Sequence, residues 1–199
     1  VPDDEGRWIA QARQGDDDAY SAVVEAFQMP VYNLCFRMLG NRQEAEDAAQ
    51  ETFLKAYRNL RRYDPTRPFV NWILSIASNH CIDRIRRRRL QFAPLEALAA
   101  SGTEGGDPEP GPEAALIEVE REAQVRRMLD GLGSKDRAAV ILFYWYDMSY
   151  EEIGETLSLS VSAVKSRLHR ARKELATRWF SGQPLESPVG ETQDEPSAL

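Results

Sequence analysis

Apolar residues recur every three to four positions along most of the chain, and runs alternating at every second residue are rare, so the pattern predicts helices rather than strands. The clearest stretch runs from Met148 to Leu175. Ser149 followed by Glu152 has the form of a capping box and opens a short helix with Ile153, Gly154 and Leu157 on one face. Gly154 is small enough there for a close approach. Ser158-Leu159-Ser160 breaks this helix, and Ser160 is placed to cap a second one starting at Val161. In the second helix Val164, Leu168, Ala171 and Leu175 form a buried stripe, while Ser162, Lys165, Ser166, Arg167, Arg170, Arg172 and Lys173 lie opposite. Two short helices joined by a tight turn, the second basic outside and apolar inside, make a helix–turn–helix able to enter a major groove.

Upstream, Trp8, Ile9 and Ala12 predict a short helix over about 5–14. Asp17 or Asp18 is expected to cap the next one, where Tyr20, Val23, Val24, Phe27, Val31, Leu34, Cys35 and Met38 keep a helical period and Pro30 should kink or split it. Gly40 ends that helix in the left-handed region, and Asn41 with Glu44 offers a capping box for a helix over 42–60. Its expected buried stripe is Ala45, Ala49, Phe53, Ala56, Tyr57 and Leu60, and Glu46, Asp47, Gln50 and Glu51 form an acidic face. Pro65 and Pro68 make 61–68 a loop. A helix follows from about Phe69 to Arg89, with Phe69, Trp72, Ile73, Ile76, Ala77 and Ile85 as candidate core. Residues 91–115 lose the period and gain Gly and Pro, the composition of a flexible acidic linker. Helical pattern resumes near Glu113. A turn spans Gly131–Ser134 with Ser134 as the expected cap, and Ala138 to Tyr146 is apolar nearly all round, the centre of a second core. Beyond Phe180 the chain is rich in Pro and Glu and reads as a disordered tail.

The fold class predicted is therefore all-α: two small helical domains joined by a flexible acidic linker, the second ending in the helix–turn–helix. The expected boundaries are an N-terminal extension over 1–15, a first domain over 16–90, the linker over 91–115, a second domain over 116–180 and the tail over 181–199.

Composition narrows the function. With 42% hydrophobic and 29% charged residues the chain reads as soluble and globular. It has no apolar run near the roughly 18–20 residues that span a bilayer and no signal peptide, which points to the cytosol. Cys35 and Cys81 lack metal or disulfide spacing and read as buried small hydrophobes, and His80 and His169 stand far apart. No catalytic or metal constellation is visible, so neither an enzyme nor a cofactor is expected. The formal charge of −7 seems to argue against nucleic acid, but its distribution does not. Residues 61–90 carry a balance of +6 and residues 160–178 one of +5, while residues 91–120 hold seven acids and no base. Two basic islands flank an acidic strait. In the first island aromatic side chains sit beside guanidinium groups and amides, a combination that stacks on unpaired bases, reads their edges and holds phosphates.

The layout over roughly residues 16–180 resembles a bacterial RNA polymerase sigma factor of the small, extracytoplasmic-function type. The residues that carry the resemblance are Ala45-Glu-Asp-Ala-Ala-Gln-Glu-Thr-Phe53, Phe69-Val-Asn-Trp-Ile73 and Ile76-Ala-Ser-Asn-His80 with Asp83 in the first domain, then Ser149-Tyr-Glu-Glu-Ile153 and Val164-Lys-Ser-Arg-Leu-His-Arg-Ala-Arg-Lys173 in the second. The resemblance implies that Asp47, Gln50 and Glu51 dock on the clamp helices of the polymerase β′ subunit and that residues 116–147 seat on the β flap. It implies a −10 reader built from Tyr63, Arg67, Asn71, Trp72 and Asn79, with the run from Arg86 and Arg87 to Arg89 on phosphates. It further implies a −35 reader built from Ser162, Ala163, Lys165, Ser166, Arg167 and Arg170. Core RNA polymerase and promoter DNA are the implied partners; an anti-sigma factor is common in the family, and nothing in the sequence identifies one. Ser158 stands where the family usually has Gly, Ser162-Ala163 where Gly-Thr is usual, and Gly133 where Pro is common.

Acidic segments are expected to compete for the basic islands in the free chain, so that promoter binding without polymerase is poor. The alternative reading is a dimeric helix–turn–helix repressor or activator that binds duplex operator without polymerase. It leaves the arginine-rich helix over 69–89 without a role.

Overall fold

Asp16, in extended backbone, accepts a hydrogen bond from Ala19 N at 3.0 Å and starts the helix around which the first domain is built. The computed structural model describes residues 2–92 and 123–182. Helix α1 spans Pro2–Arg13, α2 Asp17–Leu39, α3 Arg42–Asn59 and α4 Phe69–Phe92, with a single 3₁₀ turn at Leu60–Arg62. Of three adjacent acids it is Asp16, not Asp17 or Asp18, that caps α2; the other two occupy its first turn, where carboxylates favour the helix dipole. Pro30 does not split α2, which runs unbroken for 23 residues. Gly40 closes it at φ 75°, as the sequence predicts, and Asn41 caps α3 by accepting from Glu44 N at 2.9 Å. Glu44 leans toward Arg88, 4.0 Å away, instead of completing a capping box.

Val23, Val31, Leu34, Cys35 and Met38 of α2 meet Ala45, Ala48 and Ala56 of α3 and Phe69, Ile73, Leu74, Ala77 and Cys81 of α4 in one buried core. Each large apolar side chain buried there contributes about 1.5–3 kcal/mol. Tyr57, expected in the core, is 45% exposed: its ring packs edge-on against Tyr20 and its hydroxyl donates to Asp17, which holds it at the rim. Thr52 is buried instead, its hydroxyl satisfied by Ala48 O.

The second domain holds α5 (described over 123–130), α6 Ser134–Trp145, α7 Tyr150–Leu157 and α8 Val161–Gly182. Gly133 occupies the cap of α6 and Ser134 is its first helical residue, a correction of one position. Ala138–Leu142 form the core as expected, but Tyr144 and Trp145 emerge at 54% and 40% exposure as the helix leaves it. Among the described residues there is no strand. The expected linker beyond Phe92, the helical start near Glu113 and the tail beyond Gly182 lie outside the described residues.

The two domains pack on each other. Arg137 donates to Met38 O at 2.7 Å and pairs with Asp130 at 2.9 Å; Tyr146 OH donates to Pro30 O; Arg37 lies over the Trp145 ring and Arg126 over Phe36. Helix α7 lies against α4.

Candidate nucleic-acid interface

Helix α7 begins with the capping box that its sequence predicts: Ser149 Oγ accepts from Glu152 N, and Glu152 answers to Ser149 N at 2.8 Å. These bonds, with one from Asn71, hold the Glu152 carboxyl below its usual range. The helix ends in a Schellman motif, with Leu159 N donating to Gly154 O at 2.8 Å and Ser158 N to Glu155 O at 3.4 Å. Ser158 takes the left-handed position (φ 53°, ψ 53°), where the sequence places strain. Gly154 is required by this turn, since a Cβ there would meet Leu159 O at 2.7 Å. Ser160 Oγ then accepts from Ala163 N and starts α8.

Val164, Leu168 and Ala171 bury α8 against α6 and α7, which turns Ser162, Lys165, Ser166 and Arg170 outward. Ala163 is half-buried. Arg167 is not free on this face: it folds back and donates to Asp136 at 2.6 Å. The outward face instead contains His169, which the sequence reading left out although it falls three residues after Ser166 and seven after Ser162. Lys165 lies 5.6 Å from the Tyr150 ring centroid.

On the first domain, Trp72 is half-buried, packed on Phe69 and Tyr63 with centroids 5.4 and 5.3 Å away. Tyr63 is only 6% exposed and donates to Arg67 O, so it braces the loop from beneath and does not present its ring as a base platform. Asp64 accepts from Thr66 N and Oγ1, which tightens the turn and holds its carboxyl low. Asn71, Ser75 and Asn79 recur one turn apart along α4 beside Trp72, and Arg86 and Arg87 follow, exposed. Helix α7 touches this stripe, while Arg67 and Asn79 remain exposed. Asn71 donates to Glu152 at 2.7 Å, Arg67 to Glu155 at 3.1 Å and Asn79 to Thr156 O at 3.4 Å. A cavity of about 260 Å³ remains between Trp72, Arg67 and α7.

A third surface lies on α3. Asp47 and Gln50 are exposed and Glu51 is half-buried, 4.0 Å from Lys55. Leu54 continues the same face one turn on at 51% exposure, an apolar element that the charge-based reading passed over.

The profile of Sigma-70 region 2 matches residues 23–91 and that of Sigma-70 region 4 matches residues 122–175. An ECF RNA polymerase sigma factor of Bacillus subtilis, SigW, is 39% identical over 174 residues, 84% of this chain and 92% of its own. The chain belongs to the ECF sigma factors. The ECF sigma factor SigE of Mycolicibacterium smegmatis is 38% identical over 73% of this chain and 55% of its own. The solved structure of CnrH in complex with the cytosolic domain of CnrY superposes with a TM-score of 0.65 at 25% identity, covering 90% of this chain and 99% of that one. The sigma factor RpoE of Bartonella quintana, solved with NepR, shares the fold with a TM-score of 0.64 at 19% identity over 82% of this chain and 98% of that one. This sigma factor thus binds core RNA polymerase and directs it to promoters; the dimeric-repressor reading is not favoured. Among the described residues no helix is long and apolar enough to cross a membrane.

Proposed function

We propose that this sigma factor holds promoter DNA at two faces that polymerase sets apart: the outer face of α8 for the −35 element and the Trp72 side of α4 for the −10 element. Boundaries near 16–90 and 116–180 for the two regions are part of this reading, as is action by binding without catalysis, inside the cell where polymerase works. Ser162, Ala163, Lys165, Ser166 and Arg170 address the −35 element, joined by His169 in place of Arg167. Arg67, Asn71, Trp72 and Asn79 address the −10 element, Arg86 and Arg87 the phosphates, and Tyr63 supports Trp72 from below. Asp47, Gln50 and Glu51, with Leu54, meet the β′ clamp helices, and the second domain meets the β flap. An anti-sigma factor is a further partner of this reading, supported by relatives such as CnrH, solved with CnrY.

The observation that carries the reading is Trp72, half-buried beside a stripe of amides and flanked by guanidinium groups, a surface on which a flipped base would stack for about 1–3 kcal/mol. Trp72→Ala is expected to slow open-complex formation on a promoter by about tenfold or more while core polymerase binding changes little, with thermal melting run in parallel to check that region 2 still folds. Equal rates of opening with a folded variant would refute the assignment. Lys165→Ala and Arg170→Ala are each expected to lower the salt slope of −35 duplex binding by about 1.

A further inference from the structure

Arg170, the guanidinium assigned to the −35 element, stands beside two carboxylates able to draw it off the DNA. Asp136 Oδ1, in the first turn of α6, lies 3.8 Å from Arg170 Nη2. Glu174 follows Arg170 by four residues on α8, the spacing at which side chains on one helix meet. Each of these acids already holds another arginine. Asp136 Oδ1 accepts from Arg167 Nη1 at 2.6 Å, and Glu174 Oε1 accepts from Arg178 Nη2 at 3.0 Å. Glu174 is thereby committed further along the helix, which leaves Asp136 as the acid that decides where Arg170 points. At 3.8 Å it does not hydrogen-bond Arg170, which stays exposed.

Burial separates the two contacts that Asp136 makes. The Asp136–Arg167 pair is mostly buried and its attraction is screened less than that of an exposed pair, whereas Arg170 is mostly exposed. Arg167 Nε is buried too, without a hydrogen-bond partner among the described residues, so this side chain lies along the protein and not out toward a groove. With Arg167 in place the carboxylate is neutralised, and two guanidinium groups at one oxygen repel each other, which favours the outward position of Arg170. Without Arg167 the carboxylate keeps its charge with Arg170 as the nearest cation. Closing to a charge-assisted bond then takes a movement of only about 1 Å.

We infer that Arg167 is a positioning residue of the −35 reader: it does not meet DNA, and by occupying Asp136 it leaves Arg170 free to do so. The inference rests on the assignment of Arg170 to the −35 element. A residue that the sequence pattern offers as a DNA contact thus acts through a carboxylate on another helix.

The test uses the full chain assembled with core polymerase and a duplex that this holoenzyme enriches from a random-sequence pool, with binding measured against salt concentration. Arg167→Met keeps the aliphatic stem and removes the charge, and Asp136→Asn removes the opposing charge at nearly the same shape. Arg167→Met is expected to bind about tenfold more weakly, close to Arg170→Ala, with a salt slope lower by about 1. Adding Asp136→Asn to Arg167→Met is expected to return affinity to within about twofold of the unmutated chain and to restore the slope, a recovery that a DNA-contacting Arg167 would not allow. Thermal melts accompany each variant, and Arg167→Gln replaces Arg167→Met if the latter unfolds. Unchanged binding by the Arg167 variant, or a loss that Asp136→Asn leaves in place, overturns the positioning role alone as long as Arg170→Ala weakens binding. Unchanged binding by Arg170→Ala overturns the −35 assignment of Arg170 and the inference with it.

Discussion

His80 sits half-buried between α3 and α4, where Lys55 Nζ donates to its Nδ1 at 2.6 Å and its Nε2 has no partner among the described residues. Burial first, then the charges of Lys55 and Arg84, hold its pKa below the ordinary 6.5. An unfolded chain therefore takes up a proton as pH falls through 6.5 while the folded one does not. Stability is lost from 6.5 down to the folded pKa, and His80 contributes no pH dependence above that window. The melting temperature is expected to fall as pH drops below 6.5, and His80→Asn, which keeps an acceptor for Lys55, is expected to flatten that slope in thermal melts. Asp64 and Glu152, also held low, act only nearer their own ordinary values of 3.8 and 4.5, so the two windows separate. Single side chains were the least legible part of the sequence. Arg167 and His169 sit two apart on one helix, and the choice between them turned on Asp136, 31 residues upstream of Arg167.

The turn between α7 and α8 was legible because its chemistry is local. Ser149 and Glu152 close their box within four residues, and the buried stripe of α8 follows a fixed period. Ser158 occupies the left-handed position, which disfavours any residue with a Cβ by roughly 1–2 kcal/mol, partly offset for Gly by its greater freedom when unfolded. Ser158→Gly is expected to stabilise the domain by about 1 kcal/mol in chemical denaturation, without loss of −35 binding, because the Ser158 side chain is exposed and makes no hydrogen bond among the described residues. Where several neighbours offer the same chemistry, local reading loses its resolution. Asp16, Asp17 and Asp18 could each cap α2, and Gly133 takes the cap of α6 although Ser134 has the better side chain, because the cap falls where the backbone turns from extended to helical.

Arg137 couples the two regions. Its side chain is almost fully buried, which lowers its pKa, while Asp130 opposes that shift and Met38 O accepts one of its N–H groups. Breaking the contact leaves the Met38 carbonyl at the end of α2 without its donor, at a cost of about 1–3 kcal/mol, whereas the half-exposed Asp130 carboxylate turns to water. Arg137→Met is thus expected to shift the free chain toward separated regions, seen as a larger radius of gyration in solution scattering with helix content by circular dichroism unchanged. An unaltered radius would show that the remaining contacts, Tyr146 to Pro30 and the α4–α7 seam, suffice.

Helix positions, the helix–turn–helix, the two basic islands and the family were all written in contiguous residues, because backbone hydrogen bonds and side-chain periodicity act over three to seven positions. The seam between α4 and α7 was not. Its bonds join residues 81, 88 and 77 positions apart, and no local pattern states which acid will meet which amide. Charge predicted that some acidic segment would oppose the basic islands, and three-dimensional packing chose Glu152 and Glu155, since only folding brings their helix within hydrogen-bond reach of α4.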